Sequence, residues 1–264
     1  MTVVQALALG VLQGVAEFIP ISSSGHLVVM RHLMGLGEIP VLFDVILHIA
    51  TLIVVFFVFR ERIARILVAL WRWAARRANA DDSVQVRLAG YVIIATICTV
   101  VIGLAIAEAR LDRFPRLVSA LFLVTAAILI AAHFFRGSID YDGFGIRHAL
   151  ITGISQGIAV LPGISRSGLT ITAALAAGVD RTRAGEFSFL ISIPAIFGAL
   201  ILTLRDLEDL TQVVSVPALV AGFLASLVVG FFSLVLLLKL IRGGKLYLFA
   251  IYLVPLGIAG LILF

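Results

Sequence analysis

The hydrophobic pattern divides the chain into long apolar runs separated by short polar segments. A helix of about 20 apolar residues spans the hydrocarbon core of a bilayer. Runs of nearly that length predict six transmembrane helices, at residues 42–59, 88–107, 117–135, 187–204, 216–238 and 246–264. We therefore expect an all-α polytopic membrane protein.

Two further apolar segments are interrupted by a break rich in Pro, Gly and Ser. Residues 13–26 have the sequence QGVAEFIPISSSGH, and residues 156–169 have the sequence QGIAVLPGISRSGL. The second segment aligns with the first at a constant offset of 143 positions. The arms beside each break are too short to cross a bilayer alone, and such a break must be buried in protein or line a watery cavity. The pattern predicts two re-entrant helical hairpins that face one site. Their repeats cover about residues 1–135 and 136–264 of a single integral-membrane domain.

The basic residues predict the orientation of the chain. Segment 60–87 holds seven arginines and two tryptophans, which is typical of an amphipathic helix on the membrane surface. If it is cytoplasmic, that side carries fourteen Lys and Arg, and the other side, with Arg31, segment 108–116 and Arg205, carries five. The positive-inside rule then puts both chain ends outside the cytoplasm. The hairpins enter from opposite sides, so we expect inverted-topology repeats with the site where they meet.

Composition supports this interpretation, since 62% of the 264 residues are hydrophobic and 13% are charged. The formal charge of +5 is spread between apolar runs and forms no patch interleaved with aromatic residues. We therefore expect a lipid bilayer, and no nucleic acid, as partner. The first apolar run has no basic leader, so no cleavable signal peptide is expected. Cys98 is the single cysteine, which excludes a disulfide within the chain.

The first hairpin carries a carboxylate, Glu17, in its apolar arm. Such a residue costs roughly 2.5–3.5 kcal/mol to insert unless it is paired, hydrated or bound to a cation. Gln13 lies four residues earlier, on the same face if the arm is helical, so both side chains can converge on one ligand. The alternative is a Glu–Gln hydrogen bond that only holds the hairpin together.

The break of the first hairpin is rich in hydroxyl and amide groups and precedes a helical arm that we expect to open at His26. Free N–H groups at such a helix start suit a phosphate. His26 adds a group that gives or takes a proton near neutral pH. The candidate residues of the break are Ser22, Ser23, Ser24 and Gly25.

The break of the second hairpin makes a similar cap but has Arg166 where the first copy has Ser23. A guanidinium at a hairpin tip can bind a phosphate through two hydrogen bonds, although it could instead snorkel or pair with a structural carboxylate. The first repeat thus supplies an acid–base pair and a metal ligand, and the second supplies positive charge. This division suits cleavage of a phosphoanhydride. The other candidate substrate-binding residues are Ser165, Ser167, Gly168 and Thr170.

Polar residues also occur in the spans that follow the hairpins. We interpret Asp44 and Glu186 as structural partners of the hairpins rather than as catalytic groups. His48 and Thr51, in the same span as Asp44, receive no role from the sequence.

Both breaks closely resemble the signatures of the bacterial undecaprenyl-pyrophosphate phosphatase family, which is also known for bacitracin resistance. Gln13 and Glu17 match Glu/Gln-x-x-x-Glu, residues 20–26 match Pro-x-Ser-Ser-x-Gly-His, and residues 162–170 match Pro-Gly-x-Ser-Arg-Ser-x-x-Thr. The segment that begins at Glu186, Glu-Phe-Ser-Phe, is also similar. The resemblance covers essentially the whole chain.

The resemblance implies hydrolysis of a polyprenyl pyrophosphate, in the bacterial inner (plasma) membrane, to the monophosphate carrier lipid and inorganic phosphate. It implies a divalent cation, Mg²⁺ or Ca²⁺, with Glu17 as metal ligand, while Gln13 in place of a second Glu removes one anionic ligand. It also implies that Glu17, Ser23, His26 and Arg166 are essential or nearly so. The nucleophile stays open between Ser23, assisted by His26 or Glu17, His26 itself and a water molecule.

A transporter or flippase of a phosphorylated polyprenyl lipid is the alternative function, because it shares the inverted-repeat plan. Such a carrier does not need Glu17 and His26 beside a hydroxyl, which hydrolysis does. The oligomeric state stays open, with a homodimer as one alternative. We expect the active site to face the extracytoplasmic side because the first hairpin enters from that side.

Overall fold

The computed structural model describes residues 1–36, 39–109, 111–204 and 213–264. Within these ranges the chain forms eleven α-helices and two short 3₁₀ helices, and its only β pairing is an isolated bridge between Ile139 and Val179. The α-helices are α1 (Val3–Phe18), α2 (Ser23–Leu33), α3 (Val41–Val58), α4 (Arg60–Ala74), α5 (Asp82–Ala107), α6 (Pro115–Ala131), α7 (Ile146–Ile158), α8 (Arg166–Ala176), α9 (Arg181–Thr203), α10 (Val216–Arg242) and α11 (Ala250–Leu263).

Five of the described helices are long and apolar enough to cross a membrane. They are α3, α5, α9, α10 and the segment Leu246–Leu263, in which a 3₁₀ turn leads into α11. Helix α6 is also apolar but has 17 residues, one fewer than α3. The prediction of an all-helical, multi-pass membrane protein is therefore confirmed, and five of the six predicted spans reach this length.

Several helices extend beyond the predicted apolar runs. Helix α5 begins six residues earlier than predicted, where Asn79 and Asp82 accept hydrogen bonds from each other's backbone N–H at 2.9 and 3.0 Å. Helix α9 likewise begins at Arg181, and the Asp180 side chain accepts two backbone N–H groups of its first turn. Hydropathy misses such turns because they are polar, while capping stabilises them as helix.

Helix α4 is amphipathic, as predicted for the arginine-rich segment. Its side chains Trp71 and Trp73 are more than half exposed, while Ile66 is buried against the rest of the protein. An exposed face with aromatic and basic residues suits the interface of a membrane. Of the residues used to predict the orientation, Arg110 and Arg205 lie outside the described residues.

A network of ion pairs joins α4 to the start of α9. The Glu186 carboxylate pairs with Arg62 and, at 3.1 Å, with Arg183. Arg183 also donates to Asp140 at 2.7 Å, and this hydrogen bond holds the pKa of Asp140 below its usual value. The interpretation of Glu186 as a partner of a hairpin is therefore wrong, because its carboxylate faces α4 and its own helix.

The first arm of each hairpin packs closely along a long apolar helix. Helix α1 lies along α10, and α7 lies along α5. A Cβ atom at Gly10 would lie 2.2 Å from the Gly222 carbonyl oxygen, and one at Gly153 would lie 2.5 Å from the Ala95 Cα. Glycine permits this close approach of each arm to its neighbouring helix.

Candidate active site

The tips of the two hairpins contact each other in the centre of the protein. The Ser22 hydroxyl accepts a hydrogen bond from the backbone N–H of Gly163 at 3.0 Å. The Ser167 hydroxyl donates to the Phe18 carbonyl at 3.2 Å. Gly25 makes room for this contact, because a Cβ there would lie 2.8 Å from the Gly163 nitrogen. The repeats therefore meet at one place, as the sequence predicts.

A serine caps the second arm of each hairpin. Ser22 accepts from the Gly25 N–H at 3.4 Å, and Ser165 accepts from the Gly168 N–H at 3.1 Å. Helix α2 consequently begins at Ser23, three residues before the predicted start at His26. Ser22 itself has φ of +72°, a left-handed conformation that is uncommon for a non-glycine residue.

Glu17 lies at the centre of a group of polar side chains and is 7% exposed. Its Oε2 accepts from Gln13 Nε2 at 3.1 Å and from the Ser23 hydroxyl at 2.8 Å, and lies 3.2 Å from His48 Nε2. Its Oε1 accepts from an Nη of Arg166, across the boundary between the hairpins. The predicted acid and the predicted cation thus form an ion pair.

A cavity of about 310 Å³ lies beside this ion pair. Its apolar lining comes from the first turns of α3, the C-terminal half of α9 and parts of both hairpins, while the hairpin tips supply most of its polar groups. Such a mixture of apolar surface and few converging polar groups is typical of a ligand site. Six predicted site residues line it: Glu17, Ser22, Ser23, Ser24, Ser165 and Arg166.

Arg166 presents a free donor to this region. One Nη is bound to Glu17, whereas the other is buried and has no hydrogen-bond partner among the described residues. The guanidinium lies 5.6 Å from the centre of the Phe189 ring, which holds it by a cation–π contact. A buried, unpaired guanidinium nitrogen is suited to an anionic ligand.

His26 lies outside the lining of the cavity. Its Nδ1 is 2.8 Å from the Ser22 carbonyl oxygen, so Nδ1 carries the proton, and its Nε2 accepts from the Tyr252 hydroxyl at 2.9 Å. Its ring lies between Phe122 and Tyr252. The structure therefore does not bring His26 together with Glu17 and Ser23, and the resemblance alone supports its role in the reaction.

Five other predicted site residues bind protein groups beside the cavity and do not line it. Four of them stabilise the shape of the hairpins. Gln13 donates a hydrogen bond to Glu17, and the backbone N–H groups of Gly25 and Gly168 donate to the capping serines. The Ser167 hydroxyl joins the two tips. Thr170 donates to the Arg166 carbonyl at 2.8 Å and lies 2.5 Å from the Ser188 hydroxyl, so it caps and connects helices.

His48 is the main residue of the site that the sequence does not identify. It lines the cavity, and its ring nitrogens face two acceptors, the Asp44 carbonyl at 2.7 Å and Glu17 at 3.2 Å. Asp44 also lines the cavity, and its carboxylate pairs with Arg31 of α2, which confirms it as a partner of the first hairpin. The i, i+4 spacing of Asp44 and His48 in an apolar span is the signal that could have revealed this face.

The oxygen ligands at the cavity can be compared with the needs of a divalent cation. No three His, Cys, Asp or Glu side chains within the described ranges converge to hold a metal. Two carboxylates, Glu17 and Asp44, line the cavity, and the buried Gln13 Oε1 beside Glu17 has no protein partner in the described chain. These oxygens fit Mg²⁺ or Ca²⁺ if phosphate and water supply the other ligands.

Comparisons with known proteins match nearly the whole chain. The family described as Bacitracin resistance protein BacA matches residues 6–259. An undecaprenyl-diphosphatase of Treponema denticola is 45% identical over 258 residues, covering 98% of this chain and 96% of the relative. An undecaprenyl-diphosphatase of Desulfosudis oleivorans is 40% identical, covering 96% of this chain and 96% of the relative. An undecaprenyl-diphosphatase of Methanosphaera stadtmanae is 38% identical, covering 99% of this chain and 98% of the relative.

Proposed function

The chain belongs to the Bacitracin resistance protein BacA family, and we propose that it hydrolyses undecaprenyl diphosphate to the monophosphate and inorganic phosphate. This reaction recycles the carrier lipid for cell-wall synthesis and confers bacitracin resistance. The observation that carries the proposal is the Glu17–Arg166 pair, in which each hairpin contributes one charge to the same cavity. A carboxylate beside a hydroxyl and a guanidinium suits attack on a phosphoanhydride.

The two ends of the substrate have different needs, which the cavity meets. The diphosphate would lie against the free Nη of Arg166 and the capped starts of α2 and α8, where helix N-termini favour negative charge. The prenyl chain would leave along the apolar wall formed by α3 and α9 into the bilayer. Binding therefore orients the terminal phosphate toward Glu17.

Glu17 would act as the base. The Ser23 hydroxyl already donates to it at 2.8 Å, so Ser23 can lose its proton to the carboxylate as its oxygen attacks the terminal phosphorus. The polyprenyl monophosphate then leaves with the electrons of the broken P–O bond, and a water molecule releases the phosphate from Ser23. In the other possible course, water attacks directly and gives its proton to Glu17.

A divalent cation, Mg²⁺ or Ca²⁺, would be held by Glu17 with help from Asp44 and the Gln13 carbonyl oxygen. When bound, such an ion neutralises charge on the diphosphate oxygens. The ion pair between Arg166 and Glu17 would open when both ligands bind. Arg166 would then bind the phosphate, and Glu17 would bind the cation. His48 contacts the same Glu17 oxygen and can keep that carboxylate in position.

Six transmembrane helices and two re-entrant hairpins, in inverted repeats of about residues 1–135 and 136–264, form the proposed architecture. The reciprocal packing supports it, because α1 of the first repeat lies along α10 of the second, and α7 of the second lies along α5 of the first. The glycines in these contacts, Gly10 and Gly153, are separated by the same 143 residues as the hairpins. Helix α6 would be the sixth span.

The active site would face the extracytoplasmic side. The cavity is lined by the N-terminal turns of α3 and the C-terminal half of α9, whereas Arg62 and Glu186 join the opposite ends of these helices beside α4. The arginine-rich α4 belongs on the cytoplasmic side by the positive-inside rule. The cavity then lies in the outer half of the membrane.

Release of inorganic phosphate from undecaprenyl diphosphate, by purified protein in detergent, tests the function. Glu17→Gln should lower kcat/KM by about 10²- to 10⁴-fold, because it removes the base. Glu61→Gln, an exposed carboxylate on α4, is the matched control and should keep the parent rate. A chelator should stop the parent, and added Mg²⁺ or Ca²⁺ should restore it.

Two results would contradict the proposal. Full activity of Glu17→Gln would show that the catalytic base lies elsewhere. A folded parent protein that releases no phosphate, with or without added divalent cation, would instead favour transport of a phosphorylated lipid.

A further inference from the structure

One wall of the cavity carries polar groups to which neither the sequence nor the proposed mechanism assigns a role. Gln156 of α7, Thr99 of α5 and Ser192 of α9 all line it. Gln156 is 3% exposed and Ser192 is 2% exposed. Three helices thus bring neutral polar side chains to one wall of the cavity.

The hydrogens of these three side chains are engaged in hydrogen bonds to the protein. Gln156 Nε2 donates to the Thr99 hydroxyl and to the Ile191 carbonyl, both at 3.1 Å. Thr99 donates to the Ala95 carbonyl at 2.8 Å, and Ser192 donates to the Phe189 carbonyl at 2.7 Å. What this wall offers a ligand is therefore oxygen lone pairs, so it accepts hydrogen bonds.

The Gln156 carbonyl oxygen is the strongest of these acceptors. It is buried, and no group in the described part of the chain donates to it. A buried amide oxygen without a partner destabilises the protein, so a ligand that donates to it recovers that cost. The amide cannot rotate freely to avoid this cost, because its nitrogen is fixed by two hydrogen bonds.

The lining of the cavity therefore includes two residues of opposite hydrogen-bonding character. Arg166 has a buried, unpaired donor and Gln156 has a buried, unpaired acceptor among the described residues. The phosphate oxygens are acceptors, so they bind Arg166 and are repelled by the lone pairs of the Gln156 wall. A small ligand that carries hydrogens suits the Gln156 wall, and hydrolysis requires one such ligand, water.

We propose that Gln156, supported by Thr99 and Ser192, positions the water molecule consumed in the reaction. This inference rests on the proposed phosphatase activity. One O–H of the water donates to Gln156 Oε1 and the other donates to Glu17, which leaves a lone pair directed at phosphorus. In direct attack the new O–P bond replaces the anhydride bond, and the proton goes to Glu17. If Ser23 attacks first, the water then attacks the phosphorus bound to Ser23. The new bond between the water oxygen and phosphorus replaces the Ser23–phosphorus bond, and the proton reaches the Ser23 oxygen through Glu17.

Steady-state kinetics of Gln156→Leu and Gln156→Glu test this role. Leucine has a similar volume but no acceptor, so we expect kcat to fall about 100-fold, as when one positioned polar group is lost, while KM changes less than about threefold. Glutamate keeps an oxygen at the same place and should recover activity to within about tenfold of the parent. Its recovery should increase with pH as the carboxylate ionises.

Thermal unfolding separates this role from a structural one. Thr152→Val is the matched control, because Thr152 is a buried residue of the same helix whose hydroxyl binds only backbone carbonyls of α7. If Gln156 only connects helices, Gln156→Leu will lower the unfolding midpoint, and Gln156→Glu, which lacks the donor, will recover no activity. That result overturns the proposal. A rise in KM with unchanged kcat also overturns it, since it would place phosphate at Gln156.

The parent and Glu17→Gln are measured in the same series. A parent that releases no phosphate contradicts the proposed function itself. An active parent with an inactive Glu17→Gln and a fully active Gln156→Leu contradicts only the water site.

Discussion

The two hairpins have nearly the same backbone plan but different chemistry. Both pack a glycine-containing arm along a long helix, both cap the second arm with a serine, and both tips contact the other hairpin. At the offset of 143 residues, however, Glu17 corresponds to Val160, and Ser23 corresponds to Arg166. The repeat therefore supplies a common frame, and the differences at two positions supply the opposite charges of the site.

Identical residues also differ in use between the copies. Gln13 and Gln156 correspond in the repeat, and both carbonyl oxygens are buried without a partner in the described ranges. Gln13 uses its nitrogen to hold the Glu17 carboxylate, whereas Gln156 binds Thr99 and the backbone of α9. Because Val160 stands where the first copy has Glu17, Gln156 has no carboxylate of its own hairpin to bind, and it lines the cavity instead. Changing residues to those of the other copy tests this comparison.

The largest effect is expected for Arg166→Ser, which makes the second tip resemble the first. The phosphate would lose its cationic partner, so kcat/KM should fall about 10³-fold. Glu17 would also keep a buried charge without its main cation, which should lower the free energy of unfolding by about 3 kcal/mol. Phosphate release and thermal unfolding measure the two effects. Arg65→Ser, at an exposed arginine of α4, is the control for loss of positive charge.

The double variant Glu17→Val and Arg166→Ser separates stability from activity. Each residue then matches the other copy, and no unpaired charge of the ion pair remains. Most of the lost stability should return, since replacing both partners of a buried ion pair is often close to neutral. Activity should stay absent. A double variant as unstable as Arg166→Ser would show that the loss does not come from an unpaired Glu17.

The glycines of the two arms should give intermediate and equal effects. Gly10→Ala and Gly153→Ala each place a Cβ within 2.5 Å of backbone atoms of the neighbouring helix, so each should destabilise the protein by about 1–3 kcal/mol. Gly90→Ala is the control, because a Cβ there meets nothing within 4 Å, and alanine favours the helix. Unfolding midpoints measure the three variants. A response from only one hairpin would break the structural equivalence of the arms.

Much of the fold can be predicted from the sequence, because bilayer spans depend on apolar length and the hairpins on a repeated polar break. The ends of α5 and α9 could not be predicted in this way, since polar turns capped by Asn79 and Asp180 have no hydropathy signal. Helix α6 illustrates the opposite error. The apolar run continues to residue 135, but the helix ends at Ala131.

Within the candidate site, Glu17 and Arg166 stand out in the sequence because the repeat differs between its copies at these positions. His48 stands out less, because its contact with Glu17 depends on how α3 packs against α1, and its i, i+4 spacing from Asp44 indicates only that the two share a face. His26 lies apart from the neighbouring Ser23 side chain. Residues three apart in a helix are about 60° apart around its axis, enough to direct His26 toward α11 while Ser23 faces the cavity.

The smallest effect is expected at the contact between His26 and Tyr252, which the second hairpin lacks because Leu169 replaces the histidine. Tyr252→Phe removes one hydrogen bond but keeps the ring stacked on His26, so it should cost about 1 kcal/mol of stability and reduce kcat/KM less than about tenfold. Thermal unfolding and phosphate release measure it, with Tyr91→Phe on α5 as the matched control. The hydroxyl only holds the first tip against α11 in this arrangement, so its loss should loosen Ser22 without removing a reacting group. A decrease as large as that of Arg166→Ser would instead make the His26–Tyr252 pair a participant in the reaction, and the first hairpin would then carry chemistry on both faces of its tip.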